Sequence, residues 1–340
     1  MSLLADHLAD LPAPDLDART HVAERADDIL RPAGALRRLD QIATWLAGWQ
    51  ATATPTADRP AALIFAADHG VAANAPVSAY PTDVTGAMVA AFDQQVSTMS
   101  VFARQLGATT EVIDVGVGEP TGDLRVEAAL DTHRFDDITR TAFDAVDGLD
   151  ADVLIVGELG IGNTTAAAAV TAALMAGDTA AWVGRGTGVE GAQLDAKHAA
   201  VEAGVRRIDG VTDPLEVLRQ VGGAELVAMT AAIVAARHRR IPVVLDGYIC
   251  TASALAAHRA NTAALDHCIA GHRSSEPGHR RLLEHLDMEP ILDLDMRLGE
   301  GSGAMAAVPL IRLACAGVVE VATFGEFLGP SDEPAEAAAT

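Results

Sequence analysis

The sequence predicts an α/β protein built on a parallel sheet with helices on both faces. Two observations carry this. Six short apolar runs recur along the chain: AALIFAA (61–67), TTEVIDVG (109–116), DVLIVGE (152–158), AAWVG (180–184), IPVVLDG (241–247) and EPILDLD (289–295). Continuous runs of that length are typical of strands buried on both faces. Between most of them lie Ala-rich segments with helical period, and strands alternating with helices specify parallel βαβ units.

Residues 15–50 place apolar side chains at helical spacing, broken at Arg31-Pro32, where the proline cannot continue a helix. The linker ATATPTADRPA (51–61) leads into the six runs. From about 303 to 328 the chain again reads as helix. The tail GPSDEPAEAAAT (329–340) is rich in Pro, Glu and Ala and is expected to be frayed. No internal repeat is found.

Composition bounds the function. The chain has 340 residues, 50% of them hydrophobic, which is ample for a large core. The formal net charge of -23 repels phosphate backbones and argues against nucleic-acid binding. A small anionic substrate would need local positive groups such as helix N-termini, an Arg or a Lys. The acid excess suits either a salty cytoplasm or a GC-rich genome. The N-terminus MSLLADHLADLPAPD has no basic stretch followed by a long apolar one, so no signal peptide is read. No stretch is read as membrane-spanning. The three cysteines, Cys250, Cys268 and Cys315, lack metal spacing and read as buried thiols of a reducing, cytoplasmic compartment.

The C-terminal ends of the runs locate the site. They read Asp68-His69-Gly70, VGVGEP, ELGIGNTT, GRGTG, Asp246-Gly247-Tyr248 and MRLGEGSG. Glycines and polar residues therefore crowd at the C-terminal strand ends, the edge where open parallel sheets bind ligands. In GELGIGNTT (157–165) the glycines Gly160 and Gly162 let backbone approach a ligand, beside Glu158. Asn163 or Thr164 can cap the following helix, whose free N–H groups then face an anion. The segment from Gly186 through Gly188 to Gly191 fits G-x-G-x-x-G. It lies mid-chain after a short run, whereas a dinucleotide fold opens with it, so NAD is not inferred. Lys197 comes in the next helix and is the only lysine in the chain. It is either a solvated surface residue or a compact ammonium for a phosphate, where a planar guanidinium does not fit. Glu300 sits among glycines in RLGEGSG. It is either a first-turn acid or, if desolvated, a general base with raised pKa. Asp246 has two readings as well, ribose acceptor or structural cap. His69, His272 and His279 lie near these loops without metal-binding spacing and read as hydrogen-bonding residues. No metal and no cofactor is expected.

These motifs together resemble the nicotinate-nucleotide–dimethylbenzimidazole phosphoribosyltransferase family, over about residues 20–328. They occur in family order: FAADHGVAANAPVSAYPTDVT, GELGIGNTT, VGRGTG followed by Lys197, GGAELVAM, IPVVLDGYICTASAL, HRSSEPGH and RLGEGSGA. The resemblance implies a three-layer α/β/α, Rossmann-like large domain (58–302). It also implies a small helical domain from both chain ends (1–50 and 303–328) and a homodimer. It implies transfer of phosphoribose from nicotinate mononucleotide to 5,6-dimethylbenzimidazole, with Glu300 as catalytic base. By the same resemblance Ser78, Tyr80 and Leu298 line the base pocket. Glu158, Gly160, Gly162, Asn163, Gly186, Gly188, Lys197, Asp246, Ser274 and Arg297 surround the nucleotide, with Lys197 on the phosphate. The chain departs from the family pattern at Arg31-Pro-Ala-Gly34-Ala-Leu-Arg37, at Gly86, where many relatives carry Gln, and at QVSTMS (95–100). Gly86 removes a possible donor from the base pocket. That leaves two alternatives: the same transfer to another base or a phenol, and a non-catalytic nucleotide-binding paralogue.

Overall fold

A computed structural model describes residues 2–329, so the predicted frayed tail lies almost wholly outside the described residues. The chain divides into two compact units. Among the described residues the larger comprises 2–13 and 58–308, and the smaller 14–57 and 309–329.

The larger unit holds a five-stranded sheet: β1 (Pro60–Ala67), β2 (Thr109–Gly116), β3 (Val153–Leu159), β4 (Val243–Leu245) and β5 (Cys268–Ala270). All neighbours are parallel, in the order β2-β1-β3-β4-β5. One face presents Leu63, Phe65, Leu154, Val156, Val243 and Leu245 to the main hydrophobic cluster, which draws on the helix Ala224–His238, buried at every position but its last. On the other face Ile64 and Ile155 meet Gly301 and Met99, and Val244 lies beside Gly271 and Ala304. Both faces are covered, as continuous apolar strands require.

Residues 2–13 cluster with this unit, not with the smaller one. Their helix Leu3–Ala9 buries Leu4 and Leu8 in the main core, and Arg237 Nε donates to Pro12 O at 2.6 Å. An apolar docking face of two leucines outweighs proximity to the helices that follow in sequence.

Two strand expectations need correction, and two short strands were not expected. The run at 180–184 is a 3-10 turn, Thr179–Trp182, because the Asp178 carboxylate accepts from Ala180 N and caps it. The last run forms β7 (Leu292–Met296), which leaves the main sheet and pairs in parallel with β6 (His272–Ser274). The short strands β5 and β6 escape a hydropathy reading because His267, His272 and Arg273 interrupt the apolar pattern. The helix Ser302–Val319 is also long and apolar enough to cross a membrane by length and mean hydropathy (1.7), although no such stretch was expected. It contains Pro309 and Arg312, and 56% of it is buried within the protein, as a core helix would be.

In the smaller unit the expected helices are Leu16–Asp28 and Arg37–Gln50, separated at Arg31-Pro32. There Ile29 bridges Thr323 in antiparallel fashion. Arg25 donates to Val318 O at 2.8 Å and to Glu326 Oε1 at 2.8 Å, which stitches the two chain segments together.

Candidate active site

The loops after β1, β3, β4 and β6 and the loop after β7 converge on one cleft at the C-terminal edge of the sheet. Glycines let the loop after β7 turn and approach β3 closely there. Gly157 faces the backbone of Glu300, and a Cβ at Gly157 would lie 2.6 Å from the Glu300 carbonyl carbon. Gly299 and Gly301 have φ of +89° and +80°, and Glu300 between them has φ +64°. A non-glycine residue in that region is strained and persists only where the surroundings impose it.

What imposes it is Asp246, at the end of β4. Its carboxylate accepts from Gly301 N (3.2 Å) and Ala304 N (2.9 Å), so it clamps the Glu300 turn and caps the helix beginning at Ser302. His272 Nε2 lies 3.3 Å from the other side of the same carboxylate. Burial opposes ionisation of Asp246, but the His272 contact and these two N–H donors hold its pKa below the usual value. Asp246 therefore stands behind the cleft wall, where it clamps the turn that carries Glu300.

Glu300 lines the cleft and is 5% exposed, with Oε2 buried and without a hydrogen-bond partner. Burial raises its pKa, the Asp246 charge adds to this, and a Met99 N–H opposes it. Glu158, opposite, is raised well above the usual carboxylate range, first by burial and then by Asp246 and Glu225. Asn163 Nδ2 donates to Glu158 Oε2 at 2.5 Å. Asn163 thus orients Glu158 and does not cap its helix; the cap position is Gly162, at φ +99°, with no side-chain cap. The first turn of the helix Asn163–Met175 is left open at the cleft edge, where Asn163 and Thr164 form part of the wall.

Lys197 is buried beneath the Gly186 loop, in the helix Ala192–Arg207. Its Nζ donates to Thr164 Oγ1 at 2.8 Å and to Gly184 O at 3.0 Å. Burial lowers its pKa to about 8, against the pull of Glu276. A Cβ at Gly186 would lie 2.8 Å from Nζ, so the loop packs this closely over the buried ammonium because residue 186 is glycine.

Of the residues singled out from sequence, Glu158, Gly160, Asn163, Gly186, Ser274, Arg297, Leu298 and Glu300 line this cleft together. Lys197 and Asp246 support it from one layer behind. Gly162 and Gly188 shape its loops by positive φ. Ser78 and Tyr80 do not line it. Ser78 Oγ bonds Thr187 Oγ1 at 3.1 Å on the wall, and Tyr80 is 55% exposed. Sequence reasoning named Thr164 only as a possible cap, and it missed Thr85, Met88, Thr187, Tyr248 and Glu276 on the wall. Tyr248 follows Asp246-Gly247 directly and could have been found from that strand end. Glu276, whose Oε1 accepts from Gly186 N at 2.9 Å, joins segments 90 residues apart and leaves no local signal. Among the described residues no group of three or more His, Cys, Asp or Glu is placed to hold a metal ion.

This site belongs to a class that comparison defines. A family model described as Phosphoribosyltransferase matches residues 11–327. The nicotinate-nucleotide–dimethylbenzimidazole phosphoribosyltransferase of Mesorhizobium japonicum is 47% identical over 318 residues, 93% of this chain and 94% of the relative. That of Methylocella silvestris is 46% identical over 316 residues, 92% of each. The crystal structure of CobT from Thermus thermophilus superposes with a TM-score of 0.88 at 38% identity, covering 93% of this chain and 99% of that one. The chain belongs to the nicotinate-nucleotide–dimethylbenzimidazole phosphoribosyltransferase family.

Proposed function

We propose that the chain transfers phosphoribose from nicotinate mononucleotide to 5,6-dimethylbenzimidazole, giving nicotinate and α-ribazole 5'-phosphate. Family membership over nearly the whole chain supports the reaction. The observation that carries the mechanism is Glu300, a desolvated carboxylate with an unpartnered oxygen on the wall of the same cleft as the glycine loops and the buried lysine.

The chemistry follows from those groups. One benzimidazole nitrogen attacks C1′ of the ribose. The C1′–N bond to the pyridinium breaks, its electron pair returns to the ring nitrogen, and nicotinate leaves without needing a proton. Glu300 removes the proton from the second benzimidazole nitrogen, and general-base help of this kind supplies roughly 10²–10⁴ in rate. Attack opposite the leaving group inverts C1′ and sets the α configuration. We assign the phosphate to the Gly186–Gly188 loop with Lys197 beneath it, and the sugar to the wall formed by Glu158, Gly160, Asn163, Ser274 and Arg297. Leu298 and Met88 offer the apolar contacts a benzimidazole needs, with Ser78 and Tyr80 at the approach. No step requires a metal or a cofactor.

The two compact units are proposed as the large and small domains, the molecule as a cytoplasmic homodimer, and its partners as these small molecules only. A product assay tests the function. Purified protein with nicotinate mononucleotide and dimethylbenzimidazole should yield α-ribazole phosphate, and no ribotide with this or any offered base would refute the proposal.

A further inference from the structure

The cleft wall carries a carboxylate that the reaction above does not use. Glu276 stands at the N-cap of the helix Pro277–His285, yet its side chain does not cap that helix. It reaches instead to the turn at 184–186, about 90 residues away in sequence. There Oε1 accepts from Gly186 N at 2.9 Å. Oε2 is buried without a hydrogen-bond partner and presses on Gly184, where a Cβ would collide with it. Lys197 attends the same two glycines. Its Nζ donates to Gly184 O at 3.0 Å, and a Cβ at Gly186 would lie 2.8 Å from Nζ. Glu276 and Gly186 both line the cleft.

The donors of this loop are few. Gly188 N donates to Arg185 O at 2.9 Å and is spent within the turn. Gly186 N is spent on Glu276. The Lys197 ammonium has three N–H groups, of which Thr164 Oγ1 and Gly184 O take two. A ligand anion that takes its N–H from Gly186 has to win it from Glu276, and it meets a second negative group on the same wall. A carboxylate and a phosphate make the same demand, lone pairs turned to N–H groups beside a cation. Burial lowers the Lys197 pKa and Glu276 opposes it, as a phosphate at that place would.

We propose that Glu276 is an internal counter-anion that competes with the substrate's phosphate for Gly186 N and Lys197, and that it withdraws from Gly186 when the phosphate binds. The competition sets the affinity. The loop and lysine hold a phosphate less tightly than they would without Glu276, so the phosphorylated product leaves more readily. If Glu276 were only a latch closing the loop onto its helix, its charge would not matter, because an uncharged amide oxygen serves Gly186 N as well. The unpartnered Oε2 also makes it a poor latch, since a buried acceptor without a donor costs free energy. The inference rests on the assignment of the phosphate to this loop made above.

The test measures affinity for nicotinate mononucleotide by calorimetry in wild type, Glu276→Gln and Glu276→Ala, with inorganic phosphate measured as a competitor of the nucleotide. Glu276→Gln keeps an acceptor for Gly186 N and loses the charge. It should bind the nucleotide about tenfold more tightly, inorganic phosphate should compete better by a similar factor, and KM should fall while kcat does not rise. Glu276→Ala should shift both affinities in the same direction, and it decides should Glu276→Gln fail to fold. A crystal structure of wild type with nicotinate mononucleotide should show Gly186 N donating to a phosphate oxygen, with Glu276 withdrawn. A nucleotide affinity in the variant within threefold of wild type or weaker, or a complex in which Gly186 N stays on Glu276, overturns the inference. A wild type that still makes the ribotide then leaves the proposed function intact. A wild type that neither binds the nucleotide nor makes product overturns both.

Discussion

Removal of the Lys197 ammonium separates what this residue does for the fold from what it does for a ligand. The fall of its pKa from 10.5 to about 8 corresponds to about 3 kcal/mol of unfavourable burial of the charge. A lysine whose folded pKa lies below its unfolded value destabilises the fold fully at pH below about 8. That cost fades as pH rises from about 8 to 10.5. Lys197→Met removes it, but leaves Thr164 Oγ1 and Gly184 O without their donor, at roughly 1–3 kcal/mol. At pH 7 the two terms nearly cancel, so the melting temperature of the variant should lie within a few degrees of wild type. Binding is different. A charge-assisted hydrogen bond to phosphate is worth about 1.5–3 kcal/mol, so affinity for nicotinate mononucleotide should fall roughly 10- to 150-fold. Wild-type affinity should also decline as pH passes about 8, because binding requires the protonated amine, while the variant shows no such decline. Thermal melts and calorimetric titrations between pH 6.5 and 9.5 measure both quantities. An affinity within threefold of wild type, or a collapse of the melting temperature, would refute this reasoning.

Further expectations concern the surrounding elements. Glu300 has a raised folded pKa, so its ionised form costs stability as pH rises through that value. Glu300→Gln should therefore melt no lower than wild type at pH 7 while transfer falls at least about 10²-fold with nucleotide affinity kept, as melts, rates and titrations would report. Gly157→Ala would place a Cβ 2.6 Å from both the Glu300 backbone and Ile64 Cδ1. It should lower both the melting temperature and the rate, since the strained turn cannot move aside. Glu225 is buried against His69 at 2.6 Å beneath Gly160. Glu225→Ala should destabilise by about 3–5 kcal/mol in denaturant unfolding, because a buried partner is orphaned.

The runs of β1, β3 and β4 were legible because strands buried on both faces need no polar alternation, and β2, at the sheet edge with Thr109, Glu111 and Asp114 exposed, was legible through the Val and Ile residues between them. β1, β2, β3 and β4 lie within the runs read from sequence, give or take a residue at their ends. The segment at 180–184 was not, since four apolar residues cannot distinguish a strand from a capped turn. The glycine-edged strand ends revealed the cleft, and most of the residues chosen there do line it. Asp246 was ambiguous in sequence because a cap and a ligand acceptor need the same carboxylate; its bonds from Gly301 N and Ala304 N, far away in sequence, show the capping part. Glu276 and Thr187 stand inside the quoted HRSSEPGH and GRGTG segments but were not singled out, because their partners, Gly186 and Ser78, are about a hundred residues away.

The most direct test of the central claim is the anomeric form of the product. The purified protein is incubated with nicotinate mononucleotide and dimethylbenzimidazole, alongside Glu300→Gln, and the ribotide is identified by mass and proton NMR. The account predicts an α-linked ribotide phosphate from wild type and almost none from the variant. A β-linked product, or undiminished transfer by Glu300→Gln, would contradict it.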